Sequence, residues 1–203
     1  MSEMVPTTYA YATLQERLDS EHEGGELVGI LPEQVAAFMA TKDDDMPLPK
    51  LNLELLRETI TWARKSHEVE EERPIDWQQS VWAKTTLPVD VEVTKYVDDN
   101  DEEFYLIPAV AVRENFCNTA GCIAGNIALQ NGEPLWYHEG TGFDGKKLFG
   151  ATNMKTGESI DDFAAEQLGL CWIEQEMLFD GDNTIDEVEL IAEAIAIRRG
   201  LRL

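Results

Sequence analysis

The sequence predicts an α+β fold: a mainly helical core carrying a small inserted β-hairpin. Three observations carry that expectation. Apolar residues recur at helical spacing in several separate segments. One central stretch, Val89 to Val97 (VDVEVTKYV), alternates instead, and an apolar run rich in strand formers, Phe104 to Val112, follows it. Finally, 203 residues with 43% hydrophobic content and five Trp are enough to bury a substantial core.

Residues 9–21 place Tyr11, Leu14 and Leu18 on one helical face. Residues 32–41 begin at Pro32, suited to a first helical turn, and align Val35, Phe38 and Met39. These two helices fall in residues 1–46, which read as a helical N-terminal appendage to a main domain over residues 47–203. Asn52 can cap a helix to about Ser66, with Leu53, Leu56, Ile60 and Ala63 as its buried stripe. The hairpin then occupies a β insertion over about 84–115, between Trp82 and Cys117, with the acidic run Asp98–Glu103 at its tip. Pro108 demotes the second strand to an edge or bulged one. A nearly all small and apolar helix is expected from Thr119 to Gln130, central to the fold and stopped by Asn131-Gly132. Residues 132–158 are Gly-rich and aperiodic, so they read as a long loop with one short strand at Leu135–Tyr137. Ser159 with Asp162 opens a helix that Gly169 stops. Asn183 or Thr184, with Glu187, opens the last helix, striped by Ile185, Val188, Ile191, Ala192 and Ile195 and ended by Gly200.

Charge excludes more than it selects. Forty Asp and Glu stand against 16 Lys and Arg, a net charge of −24. A surface this negative repels nucleic-acid phosphates and anionic membranes. No stretch reaches the roughly 18 apolar residues of a membrane span, and the N-terminal residues carry no signal-peptide pattern. Three Cys without framework spacing fit a reducing, cytoplasmic setting.

Chemistry has few places to reside. In Cys117-Asn118-Thr119-Ala120-Gly121-Cys122 two thiols flank an expected helix start, where unpaired N–H groups favour a thiolate. The same residues also read as structure, with Asn118 or Thr119 as cap and Cys122 as a small hydrophobe. Cys117, Cys122 and Cys171 with His22, His67 and His138 have no metal-ligand spacing. Gly140 to Lys147 (GTGFDGKK) matches phosphate-loop patterns, but Lys147 stands where Ser or Thr is needed and the residues that follow form a poor helix. Asp180–Thr184 resembles a calcium loop, yet positions six and twelve would be Ile185 and Ile191. No G-x-S-x-G or H-E-x-x-H occurs. No motif calls for a cofactor.

The segment CNTAGCIAGNIAL at Cys117 resembles a motif, C-[GN]-T-x-x-C-I-A-G, of uncharacterised proteins from actinobacteriophages and their hosts. The matching residues are Cys117, Thr119, Cys122, Ile123, Ala124, Gly125 and Ala128, followed by Leu168-Gly169-Leu170 and Leu178-Phe179. Upstream, Asp76-Trp77-Gln78-Gln79 and Trp82 are similar to a W/D-Q-x-x-W stretch of that group. Asn118 stands where the motif usually has Gly, and residues 84–115 and 132–158 look like insertions. The resemblance implies a phage or actinobacterial origin and brings no known activity.

The functional expectation is a small acidic, non-enzymatic interaction protein, phage-encoded and acting in the host cytoplasm. It would bind a basic surface of a host protein, as an inhibitor or DNA mimic, without itself binding nucleic acid or membrane. Two alternatives stand beside it. One is a sequestering protein for a small phosphorylated ligand, held by Trp136, Tyr137 and Lys146; the other is a thiol-dependent enzyme or redox switch at Cys117 and Cys122.

Overall fold

The computed structural model describes residues 37–40, 48–68, 76–77, 83–85, 93–114, 119–132, 134–141, 147–181 and 183–203. The expected helix at 9–21, most of that at 32–41, and the residues His22, Trp82, Cys117 and Lys146 lie outside the described residues. In chain order the elements are α1 (Leu53–Glu68), β1 (Asp76–Trp77), β2 (Ala83–Thr85), β3 (Thr94–Val97), β4 (Glu103–Ile107), α2 (Ala109–Glu114), β5 (Thr119–Gly121), α3 (Ile123–Gln130), β6 (Leu135–Thr141), β7 (Lys147–Met154), α4 (Ile160–Leu168), α5 (Trp172–Leu178) and α6 (Ile185–Arg198). The chain divides into two compact units, residues 1–61 with 168–203 and residues 62–167.

The first unit is helical. In α6 the buried set is wider than a stripe: Ile185, Val188, Leu190, Ile191, Ala192 and every residue from Ala194 to Ile197 are buried. Its ends follow from side-chain chemistry. Thr184 accepts the Glu187 N–H, and the Glu187 carboxylate accepts the Thr184 N–H at 2.6 Å, so two unpaired donors are met reciprocally. At the other end Gly200, at φ 67°, and Leu201 donate to Ile197 and Ala196 carbonyls, a left-handed stop that satisfies the last turn. Asn52 caps α1 by accepting the Leu55 N–H at 3.2 Å.

The tie within this unit is Glu174, fully buried on α5. Its carboxylate accepts the Arg199 Nε at 2.8 Å and Nη2 at 2.5 Å, Arg198 Nη1 at 3.2 Å, and the Cys171 backbone N–H at 3.0 Å. Arg199 also donates to the Pro49 and Gly169 carbonyls. One ion cluster thus fastens α5 to the end of α6 and to the segment before α1. Gly169, at φ 69°, lies so close to that segment that a Cβ there would stand 2.1 Å from the Lys50 carbonyl oxygen.

The second unit is built on a sheet, which corrects the expected small hairpin. Among the described residues seven strands form one sheet in the order β1-β5-β2-β7-β6-β4-β3, antiparallel except for the parallel pair β1–β5. The chain remains a mixture of α and β, but β3 and β4 are one end of this sheet rather than an appendage to a helical core. Residues 132–158, expected as a loop, contain the long hairpin β6–β7. The pattern was hidden because three apolar residues, Leu135–Tyr137, stand in succession and are followed by His138, Glu139 and Gly140, leaving no alternation to read.

Two further boundaries move. The second hairpin strand stops at Ile107, and Ala109–Glu114 turn helical instead of continuing extended. Pro108 is the reason: its fixed φ suits a helix start, and its carbonyl accepts the Ala111 and Val112 N–H groups. The expected helix at 119–130 loses its first turn to β5, so α3 begins at Ile123. Every residue of α3 from Ile123 to Leu129 is buried, and α2 packs on it.

Candidate functional site

Strand alternation decides which aromatic residues meet. On β6, Leu135 and Tyr137 are fully buried, whereas Trp136 is half-exposed and His138 exposed. The inner face therefore gathers Ile107, Leu135, Tyr137, Phe149 and Met154, each such side chain contributing about 1.5–3 kcal/mol of burial. The outer face carries Tyr96 on β3, Phe104 on β4 and Trp136 on β6. Register fixes them: Tyr96 pairs with Phe104, Phe104 with His138, and Leu106 with Trp136.

Tyr96 and Trp136 reach across β4 to bring their ring centroids to 6.1 Å at an angle of 58°. Phe104 meets His138 edge-on at 5.6 Å. The result is an open aromatic corner, a cavity of about 370 Å³ lined by Tyr96, Phe104, Trp136, Thr152, Asn153 and Gly157. That volume falls in the range of small-ligand and side-chain pockets. Tyr96 is 54% exposed, unusual for an aromatic side chain with a cluster to join.

A β-bulge supplies the polar wall. Trp136 pairs with Asn153 but Tyr137 pairs with Ala151, so Thr152 is the extra residue of β7. The bulge lets the consecutive residues Thr152 and Asn153 both line the cavity. Thr152 donates its hydroxyl to the Trp136 carbonyl at 3.1 Å, which holds the bulge and leaves its oxygen lone pairs as acceptors. Gly157, at φ 86°, closes the turn after β7 by donating to the Met154 carbonyl.

Beside the corner, residues 98–102 form the ordered β3–β4 turn. Asp98 accepts the N–H groups of Glu102 (2.8 Å) and Asn100 (2.9 Å). These bonds, that from Glu102 first, hold its carboxyl below the ordinary Asp value despite some desolvation. Asp99, Asp101 and Glu102 are exposed around it. On the opposite face Lys95 is paired with Glu103 at 2.5 Å. Tyr105 donates its hydroxyl to Glu103 at 2.7 Å, and that bond, with burial and the nearby carboxylates, pushes its pKa up to about 12.

The residues singled out from sequence are dispersed. Trp136 is in the corner; Tyr137, its neighbour, points to the inner face with its hydroxyl buried and, among the described residues, without a hydrogen-bonding partner. Trp136 and Tyr137 thus cannot share one pocket. Cys122 is the N-cap of α3, its sulfur accepting the Gly125 N–H at 3.4 Å. Burial pushes its thiol up to about 11, the opposite of what a nucleophile needs. Cys171 is half-buried, with Arg198 Nη1 3.5 Å from its sulfur. His138 lies on the outer sheet face and His67 in the last turn of α1. Among the described residues no three His, Cys, Asp or Glu side chains group as a metal site. No helix among them is long and apolar enough to cross a membrane.

Sequence reasoning missed Tyr96, Phe104, Thr152 and Asn153. The alternation in VEVTKYV and the short acidic turn contained the signal for the first two, since a tight hairpin sets Tyr96 opposite Phe104. Nothing local marks the bulge. No family model matches this chain, and neither a curated protein nor a solved structure does.

Proposed function

We propose that this chain is a non-enzymatic interaction protein that binds a basic surface of another protein through the outer sheet face of its second unit. The observation that carries the reading is the open aromatic corner beside the exposed acidic turn, in a chain of net charge −24. Buried aromatic anchors ringed by complementary charge are what stable protein interfaces use: the aromatics supply affinity and the charge supplies steering. A net charge of roughly 2–8 suffices for solubility of a small domain, so the excess favours a cationic partner. An origin in a phage or its actinobacterial host, with action in the host cytoplasm as an inhibitor or DNA mimic, rests on the sequence motif and the charge.

The phosphorylated-ligand alternative finds less support. The described lining of the corner carries no cationic side chain, and the corner's field disfavours phosphate. The thiol alternative would have to rest on Cys117, because Cys122 is sealed in the core.

The test is affinity capture from an actinobacterial lysate, comparing the wild type with the triple variant Asp99→Asn, Asp101→Asn, Glu102→Gln. The expected outcome is one stoichiometric basic protein, retained at about 50 mM salt, released at about 500 mM, and depleted with the variant. Capture that ignores both salt and the triple substitution would refute the reading.

A further inference from the structure

We infer that the aromatic corner is an arginine-receiving pocket, the anchor point for a guanidinium group presented by a basic segment of the partner. The inference rests on the proposed function and names the chemistry of its central contact.

Ring geometry makes the first selection. A flat ligand such as a nucleobase is held by faces parallel to its own plane, and Tyr96 and Trp136 are inclined by 58°. A cation imposes no such requirement. It is attracted to each ring face within about 6 Å of the centroid, and two inclined faces can serve one charge together. The second selection comes from hydrogen-bonding polarity. Thr152 has spent its hydroxyl proton on the Trp136 carbonyl and offers only lone pairs. Asn153, exposed beside it, has an amide oxygen that can accept as well as two N–H donors, so the acceptor bias of this wall comes from Thr152. Guanidinium carries five donors and no acceptor, and its plane can lie on one ring while its edge reaches such acceptors.

Charge makes the third selection. The adjoining turns expose Asp99, Asp101 and Glu102 in one and Lys155 in the other, where Glu158 is half-buried, a net acidic balance. Among the described residues Lys95 lies on the opposite face and is paired with Glu103. The described lining of the corner carries no cation, so the positive charge that complements its rings is one the partner brings. Arginine suits the site better than lysine because it stacks as well as carries charge and is more weakly hydrated.

The full chain is titrated with three blocked peptides, Gly-Arg-Gly-Arg-Gly-Arg-Gly and its lysine and citrulline counterparts, by calorimetry and Trp fluorescence at about 25 mM and 300 mM salt. The arginine peptide should bind about tenfold tighter than the citrulline peptide and measurably tighter than the lysine peptide. Trp136→Ala and Tyr96→Ala should each weaken it about tenfold, the equivalent of ~1.4 kcal/mol. Phe104→Leu provides a third variant that keeps the strand filled. Unchanged affinity in all three variants, with salt-sensitive peptide binding intact, would overturn the arginine pocket and leave the basic-partner reading standing. Absence of binding by every basic peptide at low salt would overturn both. Tighter binding of adenosine monophosphate or a glucose oligomer than of the arginine peptide would also overturn the pocket assignment.

Discussion

Replacing Glu174 tests the physics of the first unit most directly. Its carboxylate is fully buried and receives four donors: two from Arg199, one from Arg198 and the Cys171 N–H. The two guanidinium side chains are themselves only 6% and 7% exposed. In Glu174→Ala two buried guanidinium groups lose the Glu174 carboxylate together, and removing one partner of a buried pair costs about 3–5 kcal/mol. Arg199 keeps its bonds to the Pro49 and Gly169 carbonyls, which places the cost within that range rather than above it. With a urea m-value of about 2 kcal/mol/M, the midpoint should fall by about 2 M at unchanged slope. At about 2–4 °C per kcal/mol for a chain of this size, the melting temperature should fall by about 10 °C. Circular dichroism during urea and thermal unfolding reads both. The double variant Glu174→Met with Arg199→Met should recover part of the loss, because it removes the charge as well as its partner. A single-variant loss below about 1 kcal/mol would refute the argument and show that water reaches the cluster.

Four further outcomes follow from the same reasoning. Gly169→Ala should destabilise by more than Gly200→Ala: both glycines have φ near 70°, but only the first would drive a Cβ into backbone, at 2.1 Å from the Lys50 carbonyl. Left-handed strain alone is about 1–2 kcal/mol, so equal melting temperatures would show that the segment at Lys50 yields freely. Native Cys122 should resist iodoacetamide at pH 8 and react only on unfolding, read by mass spectrometry of the labelled peptide. Its raised pKa keeps the folded thiol neutral while an unfolded one ionises, so its linked contribution to stability is present below about pH 9 and lost as pH rises toward 11. Tyr137→Phe should leave stability unchanged or raise it by about 1 kcal/mol, since the hydroxyl it removes is buried without a partner among the described residues; a clear loss in the thermal midpoint would contradict that. Thr184→Ala should cost about 1 kcal/mol through the lost cap of α6, measured in the same way.

Local chemistry was enough to place much of the helical structure. Asn52, Ser159 with Asp162, and Thr184 with Glu187 mark helix starts because a side-chain oxygen meets an otherwise unpaired N–H within three residues, a relation confined to the sequence itself. Gly169 and Gly200 mark stops because the left-handed conformation favours glycine. The β3–β4 hairpin was legible for the same reason, its partners being separated only by the acidic turn. The sequence also determined the net charge of −24, on which the expectation of a cationic partner rests.

Only the tertiary structure decided the sheet and, with it, the candidate site. β5 joins β1 and β2, with Ala120 opposite Asp76 and Thr119 opposite Thr85, pairings between short segments far apart in the chain. A strand of two or three residues has no periodicity to announce it, and its stability comes from partners that local pattern cannot name. Trp136 and Tyr137 show the same division at the level of one peptide bond. Composition makes both suitable for binding, but strand alternation sends one to the outer corner and the other into the core. The corner itself joins Tyr96, Phe104, Trp136 and the Thr152 bulge from four strands, so its geometry exists only once register is set.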